Sequence, residues 1–283
     1  MLGTATAELR PYTSTSIVDM SALERIFDLL AQASRDDHLP PTILYNEGWM
    51  LRLVLDWCAS HPAFVEPFIF LDGSSWCSEA LLPSRFLGRG SRREGFTHAD
   101  GVIGHFRFKP GGRGDIELLP DGRQLSVFEA KMASLLSSGT AHAKGYNQAA
   151  RNVACMAHIA ADQPSALNSL ERISFTVLAP RQRIQEGAFA EHLDAASVSR
   201  VVAARASAFD SESANWYSSA FRAFLPRCVI SAVAWEDAVA AITTCDAAFG
   251  AELAEFYALC LRYNPIAPAR SSRRHASVTG PGV

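Results

Sequence analysis

Apolar residues near the start of the chain recur at the spacing of a helix. Residues 21–33 carry this pattern, and Ser21 with Glu24 forms a capping box where the helix would begin. The pattern stops at Pro40–Pro41, and apolar positions at helical spacing then predict a second helix over residues 44–59. The first sixty residues are therefore predicted to contain two helices.

Strand-forming runs and further helical stretches follow along the chain. β-branched and aromatic residues, bounded by turn signals, predict strands over 67–71, 98–108, 115–119, 123–132, 172–180 and 228–235. Helical spacing predicts helices over 143–162, 187–207, 212–224, 236–246 and 249–263. Strands and helices in this order predict an α/β fold with a mixed sheet flanked by helices.

The same pattern divides the chain into four predicted segments. They are a leader with one helix over 1–40, a domain that contains the predicted sheet over 41–235, C-terminal helices over 236–264 and a disordered tail over 265–283. The tail is rich in proline, serine and arginine, so we expect it to form no packed element.

Composition restricts the class of protein. Of the 283 residues, 48% are hydrophobic and 19% are charged, which excludes a disordered chain. No stretch approaches eighteen consecutive apolar residues, so we expect no membrane-spanning helix. The N-terminus lacks the pattern of a secretion signal and the six cysteines form no C-x-x-C pair, so we expect a cytoplasmic protein with reduced thiols.

Basic residues are concentrated in one stretch of a chain whose formal net charge is −3. Between residues 85 and 113 there are seven basic and two acidic residues, which gives this stretch a net charge of +5. The basic residues are Arg85, Arg89, Arg92, Arg93, Arg107, Lys109 and Arg113. A local patch of this kind is suited to contacts with the phosphates of a nucleic acid.

One predicted hairpin gathers charged side chains on a single face of the sheet. The Pro-Asp-Gly sequence at 120–122 is suited to a three-residue loop between two of the predicted strands. In the register that this loop sets, Asp115, Glu129 and Lys131 share one face. A two-residue Asp-Gly loop would shift the register by one residue and turn Asp115 to the other face.

Two carboxylates and an ammonium group on one face indicate a particular chemistry. Neighbouring carboxylates repel each other unless a cation lies between them. Oxygen ligands with positions left for water and phosphate suit Mg²⁺. A lysine beside such a site can orient a water molecule and stabilise charge that develops on phosphorus. The face is therefore predicted to hydrolyse a phosphodiester.

The spacing of these residues resembles the D…E-x-K motif of the PD-(D/E)XK, or restriction-endonuclease-like, nuclease superfamily. Asp115 stands at the aspartate position, and Glu129 and Lys131 at the end of an apolar strand stand at the E-x-K positions. The resemblance spans residues 44–180. It implies a restriction-endonuclease-like α/β/α sandwich on a mixed central sheet within 41–235, with an added C-terminal helical region. It also implies a Mg²⁺-dependent deoxyribonuclease, with Mn²⁺ able to substitute, in which the two carboxylates hold the ion and the lysine positions the attacking water.

Further positions of the superfamily have candidates in this chain. The superfamily tends to carry a glutamate on the helix before the sheet, and Glu47 stands there. Some branches add a glutamine on the helix after the E-x-K strand, and Gln148 stands there, so both residues are implied to be catalytic. The chain also departs from the pattern. Gly114 replaces the proline of the PD motif, and Arg151 follows Gln148 without the tyrosine of the exonuclease-type branches.

Asp100 is a second candidate for the metal-binding aspartate, because it too precedes apolar strand residues, in HADGVIG. If the three strands that follow one another here form a simple meander, Asp100 lies at the far end from Glu129 and Asp115 takes the metal. If the first of these strands pairs directly with the E-x-K strand, Asp100 takes it. The meander is the favoured arrangement, and both aspartates are kept as candidate metal ligands alongside Glu129.

The sequence therefore predicts a metal-dependent nuclease whose partner is a nucleic acid, with DNA favoured. The predicted nucleic-acid-binding residues are Arg89, Arg92, Arg93, Arg113 and Arg151. One alternative is a catalytically silent nuclease-fold protein that binds nucleic acid or a protein partner. Another is a metal-dependent hydrolase of a small phosphorylated substrate, which so extended a basic stretch disfavours. No membrane partner is expected, and the oligomeric state stays open.

Overall fold

The computed structural model describes residues 22–33, 39–61, 65–87, 94–140 and 143–266. The chain divides into two units, residues 1–44 and 45–283. The first unit contains helix α1 (Ala22–Ala33) and a 3₁₀ turn (Pro41–Ile43), so the first predicted helix is confirmed from Ala22 onward. The predicted leader before α1 and the predicted tail after residue 266 lie outside the described residues.

The second unit contains nine strands within its described residues. They are β1 (Ser75–Leu82), β2 (Thr97–Gly104), β3 (Phe106–Phe108), β4 (Ile116–Leu118), β5 (Gln124–Ala130), β6 (Gly139–Thr140), β7 (Ala143–Lys144), β8 (Arg172–Ala179) and β9 (Val229–Ala234). Helices surround them. These are α2 (Glu47–Ser60), α3 (Gln148–Ala161), α4 (Pro164–Ser169), α5 (Arg181–Gln185), α6 (Ala190–Leu193), α7 (Ala195–Phe209), α8 (Ser211–Trp216), α9 (Arg222–Phe224), α10 (Trp235–Cys245) and α11 (Ala247–Tyr263).

Five strands form the central sheet, in the order β1-β2-β5-β8-β9. Strand β2 runs antiparallel to both of its neighbours, whereas β5, β8 and β9 are parallel to one another. Because parallel neighbours need a crossover connection, helices α3 and α4 lie between β5 and β8 in the chain. The predicted α/β fold with a mixed central sheet and helices is confirmed.

Apolar side chains cover both faces of the central sheet. On one face, Val127 and Phe175 join a core with residues of α3 and α7. On the other face, Phe128 and Leu178 join a core with residues of α2, α10 and α11. Successive residues of a strand point to opposite faces, so β5 contributes to both cores and is buried along its whole length. None of the helices in the described part of the chain is long and apolar enough to cross a membrane.

Several local predictions are wrong. Residues 67–71 form no strand, and the side chain of Gln124 instead bonds to the backbone of this segment at 2.9 and 2.7 Å. The predicted strand over 98–108 is interrupted at His105, so that β2 and β3 belong to different sheets. Strand β1 lies in a stretch where the sequence predicts no regular element, because its apolar residues follow neither a helical nor an alternating pattern.

The predicted hairpin between residues 115–119 and 123–132 is also wrong. Strand β4 pairs with β3, in a separate two-stranded ribbon that aligns Phe106 with Leu118. Strand β5 pairs instead with β2 on one side and β8 on the other. The physical reason is that β5 is apolar on both faces and needs a long neighbour on each edge, which the three residues of β4 cannot provide.

Candidate active site

The carboxylate of Asp100 lies where two strands of the central sheet separate. The pairing of β2 with β5 ends at Gly101, which is aligned with Phe128. One residue beyond that pair, Asp100 Oδ2 accepts a hydrogen bond from the backbone N–H of Ala130 at 2.7 Å. The side chain thus reaches from β2 to β5 and binds the residue next to Glu129, and its negative charge helps to raise the pKa of Glu129.

Glu129 is the buried centre of the site, with 1% of its surface exposed. The Lys131 ammonium donates to its Oε1 at 2.6 Å, and the side-chain amide of Gln148 donates to the same oxygen. Asn152 Nδ2 donates to the other oxygen, Oε2, at 3.3 Å. A strand and a helix therefore hold this one carboxylate from two sides.

The elements that carry these side chains are fixed by further hydrogen bonds. The backbone N–H of Lys131 donates to Leu178 O at 2.8 Å, and the Lys131 carbonyl accepts from the indole of Trp235 at 3.0 Å. Helix α3 begins at Gln148 rather than at the predicted residue 143, because the side chain of Asn147 caps it by accepting from the backbone N–H of Ala150 at 2.9 Å. The cap places Gln148 at the first turn, directly beside Glu129.

The electrostatics of the site favour a bound cation. Burial raises the pKa of Glu129 to about 8, and the negative charge of Asp100 and a hydrogen bond to it act in the same direction, while Lys131 opposes them. Below about pH 8 the metal-free site therefore holds Glu129 mainly in its protonated form. A cation in the same position would replace that proton and leave both carboxylates ionised.

The structure does not bring Asp115 to this site, so its predicted position beside Glu129 is wrong. Asp115 forms a bridge with Leu81 of β1, whose other partner is His98 of β2. Strands β1 and β2 therefore separate Asp115 from β5. Its Oδ1 accepts from the backbone N–H of Arg113 at 3.0 Å, which is a local turn contact. Of the two candidate aspartates, the structure places Asp100 beside Glu129.

Glu47 lies in the first turn of α2 and is half-buried. This helix packs closely on β2, since a Cβ atom at Gly101 would lie 2.9 Å from Leu51. None of the contacts described for Asp100 or Glu129 involves Glu47. Its negative charge instead adds to the effect of burial on the thiol of Cys260 in α11 and helps to raise the pKa of that thiol.

The predicted nucleic-acid-binding arginines differ in whether the structure describes them and in how far they are exposed. Arg89, Arg92 and Arg93 lie outside the described residues. Arg113 is exposed, on the connection between β3 and β4. Arg151 is half-buried on α3. Burial raises the pKa of Glu94, and the charge of Arg151 is among the influences that lower it.

Two other basic residues of the stretch 85–113 are already paired with acids. Arg107 donates to Glu117 at 2.6 Å, and Arg85 forms an ion pair with Glu212. Both partners lie outside the stretch from which the charge of +5 was counted. The positive charge that these two residues offer to a phosphate is therefore smaller than their number indicates.

Sequence reasoning missed one residue of the site, Asn152. It is fully buried and follows Gln148 by four residues on the same helix. Residues at this spacing share a helix face, so the position of Gln148 was a usable signal for Asn152.

The side chains of the site suit Mg²⁺, which needs few protein ligands, better than a metal ion that is coordinated entirely by protein side chains. Within the described ranges, no group of three or more His, Cys, Asp or Glu side chains is arranged to hold a metal ion. Asp100 and Glu129 supply two carboxylates, and Mg²⁺ is commonly bound by one or two carboxylates together with water and substrate phosphates. These two residues would hold the ion.

Comparison with known proteins assigns no relative to the chain. A scan against protein-family models, a search of curated proteins and a search of solved structures each find no match. The geometry and chemistry of the site are therefore the basis on which a function is inferred.

Proposed function

We propose that this chain is a metal-dependent nuclease of the PD-(D/E)XK type that hydrolyses phosphodiester bonds, with DNA as the favoured substrate. The observation that carries the proposal is the grouping of three charged side chains at the point where β2 and β5 separate. Asp100 accepts from the backbone N–H of Ala130, and Lys131 donates to Glu129, the residue before Ala130. The aspartate of the motif is Asp100 in this proposal, in place of Asp115.

The arrangement of elements supports the same proposal. Helix α2 precedes the sheet, the strand of Asp100 is adjacent to the E-x-K strand, and α3 follows with Gln148 beside Glu129. Helices lie on both faces of a mixed sheet, as expected for a restriction-endonuclease-like fold. The helices α10 and α11 would be the added C-terminal region.

Each side chain of the site has a role that its contacts allow. When bound, the divalent cation would supply Lewis-acid stabilisation of the negative charge on the reacting phosphate. Asp100 and Glu129 would hold it in their ionised forms. The side chain of Lys131 is 12% exposed, and its ammonium group would orient the attacking water and donate to the charge that develops in the transition state. Gln148 and Asn152 would keep Glu129 in a single orientation.

The basic residues outside the site would contact the substrate backbone. Arg113 is exposed, and Arg89, Arg92 and Arg93 belong to the same basic stretch of the sequence. Contacts of this type position a nucleic acid without reading its sequence. Arg151, which is half-buried on α3, remains a candidate for the same role. An extended set of arginines favours a polymer over a small phosphorylated substrate.

One observation favours a second candidate function, a silent nuclease-fold protein that binds nucleic acid or a protein partner without cleaving. Glu129 is almost wholly buried, and in the absence of a cation its raised pKa keeps it protonated at neutral pH. A site in this state would not hydrolyse a phosphodiester. The two candidates differ in whether a divalent cation restores the ionised site.

Cleavage of labelled DNA separates these candidates. Above pH 8, we expect the wild-type protein to cut single- or double-stranded DNA with Mg²⁺ or Mn²⁺ and to be inactive with EDTA. Lys131→Ala and Glu129→Ala should each lower the rate by about 100-fold or more while DNA binding is kept. Lys144→Ala is the matched control, since this lysine is exposed and outside the site. Binding without cation-dependent cleavage would select the silent protein.

A further inference from the structure

Glu79 has a backbone conformation that a side chain rarely adopts. Its φ is +55°, and among the described residues it is the only one besides glycines with a positive φ. In this left-handed region the Cβ atom crowds the backbone, so the conformation persists only where the surroundings impose it. Glu79 lies within β1, which is an edge strand of the central sheet.

This residue lies directly across from Asp100. The register of β1 with β2 aligns Ser78 with Gly101 and Ala80 with Ala99, and the intervening Glu79 and Asp100 are left unpaired. On the other side of β2, pairing with β5 also stops at Gly101. The sheet is therefore interrupted on both sides of Asp100 at the same level.

The interruption explains how Asp100 reaches its partners. In a continuous sheet, the side chain of Asp100 would stand perpendicular to the strands, and its backbone would pair with both neighbours. Here its carboxylate instead occupies the gap beside β5 and accepts from the backbone N–H of Ala130. The left-handed residue Glu79 lies on the adjacent strand at the level where this pairing stops.

The contacts around Glu79 indicate that its backbone conformation contributes more to the structure of the strand than its carboxylate does. Arg52 of α2 donates to Ser78 Oγ at 2.8 Å and lies 3.3 Å from Glu79 Oε1. The side chain of Glu79 is 53% exposed, and an ion pair this long and this exposed contributes little. The stronger contact of Arg52 holds the neighbouring residue of the strand.

We infer that Glu79 is a positioning residue whose left-handed backbone keeps the sheet open beside Asp100, so that the Asp100 carboxylate can reach Glu129. The inference rests on the function proposed for the same site, which it deepens. Glu79 itself touches neither the cation nor the substrate in this account.

Two substitutions test the inference, because both remove the carboxylate and differ in the backbone they prefer. Glycine adopts positive φ freely, whereas valine favours extended strand conformations. Glu79→Gly should keep wild-type Mn²⁺ affinity in calorimetric titration and a wild-type cleavage rate. Glu79→Val should lower both by about 10- to 100-fold, as expected when a residue that supports a ligand is disturbed.

A second measurement reports the position of the Asp100 carboxylate and does not depend on cleavage. If the carboxylate of Asp100 withdraws in Glu79→Val, the pKa of Glu129 falls towards its ordinary value, because part of the repulsion that raises it is lost. Carbon-13 NMR of the carboxyl group measures this pKa in the metal-free protein. Glu79→Gly should titrate like the wild type.

The possible results distinguish failure of the positioning role from failure of the proposed function. Equal loss in the glycine and valine variants would show that the carboxylate acts directly and would overturn the inference, as would wild-type behaviour of both. Circular dichroism and thermal unfolding check folding, and Glu79→Ala replaces the valine variant if that protein does not fold. If the wild type binds Mn²⁺ but cuts nothing, the proposed function fails, while the titration of Glu129 in the two variants still decides the positioning role.

Discussion

At the scale of single residues, the account depends on how a buried glutamate is charged. Burial and the neighbouring Asp100 raise the pKa of Glu129, and Lys131 alone does not offset them. A protonated Glu129 is the stable form of the metal-free site below about pH 8. The same groups become a cation site only when that proton leaves, so proton and cation compete for one position.

This competition predicts a pH dependence of stability. Because the folded-state pKa of Glu129 is raised from 4.5 to about 8, the folded protein binds this proton more tightly than the unfolded chain. The free energy of unfolding of the metal-free protein should therefore fall as pH rises between these two values, by at most about 1.4 kcal/mol per pH unit from this group. Urea denaturation in EDTA at several pH values measures it.

The control for this prediction is Glu129→Gln, which keeps the size of the side chain and removes its titration. The difference in unfolding free energy between wild type and variant should change with pH only in the window from 4.5 to about 8. A constant difference across that window would show that Glu129 is not perturbed in the folded protein. Mn²⁺ affinity should rise through the same window.

At the scale of elements, a buried ion pair joins the chain just before β2 to α7. Glu94 lies just before β2 and pairs with Arg205 of α7 at 2.8 Å, with side-chain exposures of 6% and 5%. The guanidinium of Arg205 also lies 4.9 Å from the centre of the Phe86 ring. The backbone N–H of Glu94 donates to Phe86 O at 3.0 Å, so Glu94 contacts Phe86 through its backbone and Arg205 through its side chain.

Breaking this pair should be costly. Glu94→Ala removes a buried carboxylate that is paired with the guanidinium of Arg205, and we expect a loss of about 3–5 kcal/mol in the free energy of unfolding. The control is Glu117→Ala, which removes the partner of the largely exposed Arg107 and should cost about 0–1 kcal/mol. Urea denaturation compares the two. Similar losses of unfolding free energy in both variants would contradict the buried position of the Glu94–Arg205 ion pair.

At this scale, the sequence correctly predicts the strands and helices that depend on a local pattern of residues. The E-x-K strand, the strand β8 and the helices α10 and α11 follow from apolar periodicity and turn signals, and the structure confirms them. The partner of β4 could not be predicted this way, because it depends on competition between strands for the two edges of β5. Strand β1 was missed because the irregular burial along it hides the alternation of a strand.

At the scale of the whole molecule, two apolar cores fix a sheet whose strands separate at one end. The cores bury Val127 and Phe128 of β5 on opposite faces, and Glu129 follows them at the point of separation. The sequence correctly predicts that Glu129 and Lys131 lie together, because alternation along a strand puts them on one face. It favours the wrong one of the two aspartates, Asp115, because that choice depends on strand order, a property of the complete sheet.

The rate of Mg²⁺-dependent DNA cleavage by two matched variants tests the central claim most directly. Asp100→Asn and Asp115→Asn each replace a carboxylate with an amide of the same shape, one beside Glu129 and the other beyond β1. We expect Asp100→Asn to lower the rate by about 100-fold or more and Asp115→Asn to cut like the wild type. A wild-type protein without cation-dependent cleavage, or a loss in Asp115→Asn as large as that in Asp100→Asn, would contradict the account.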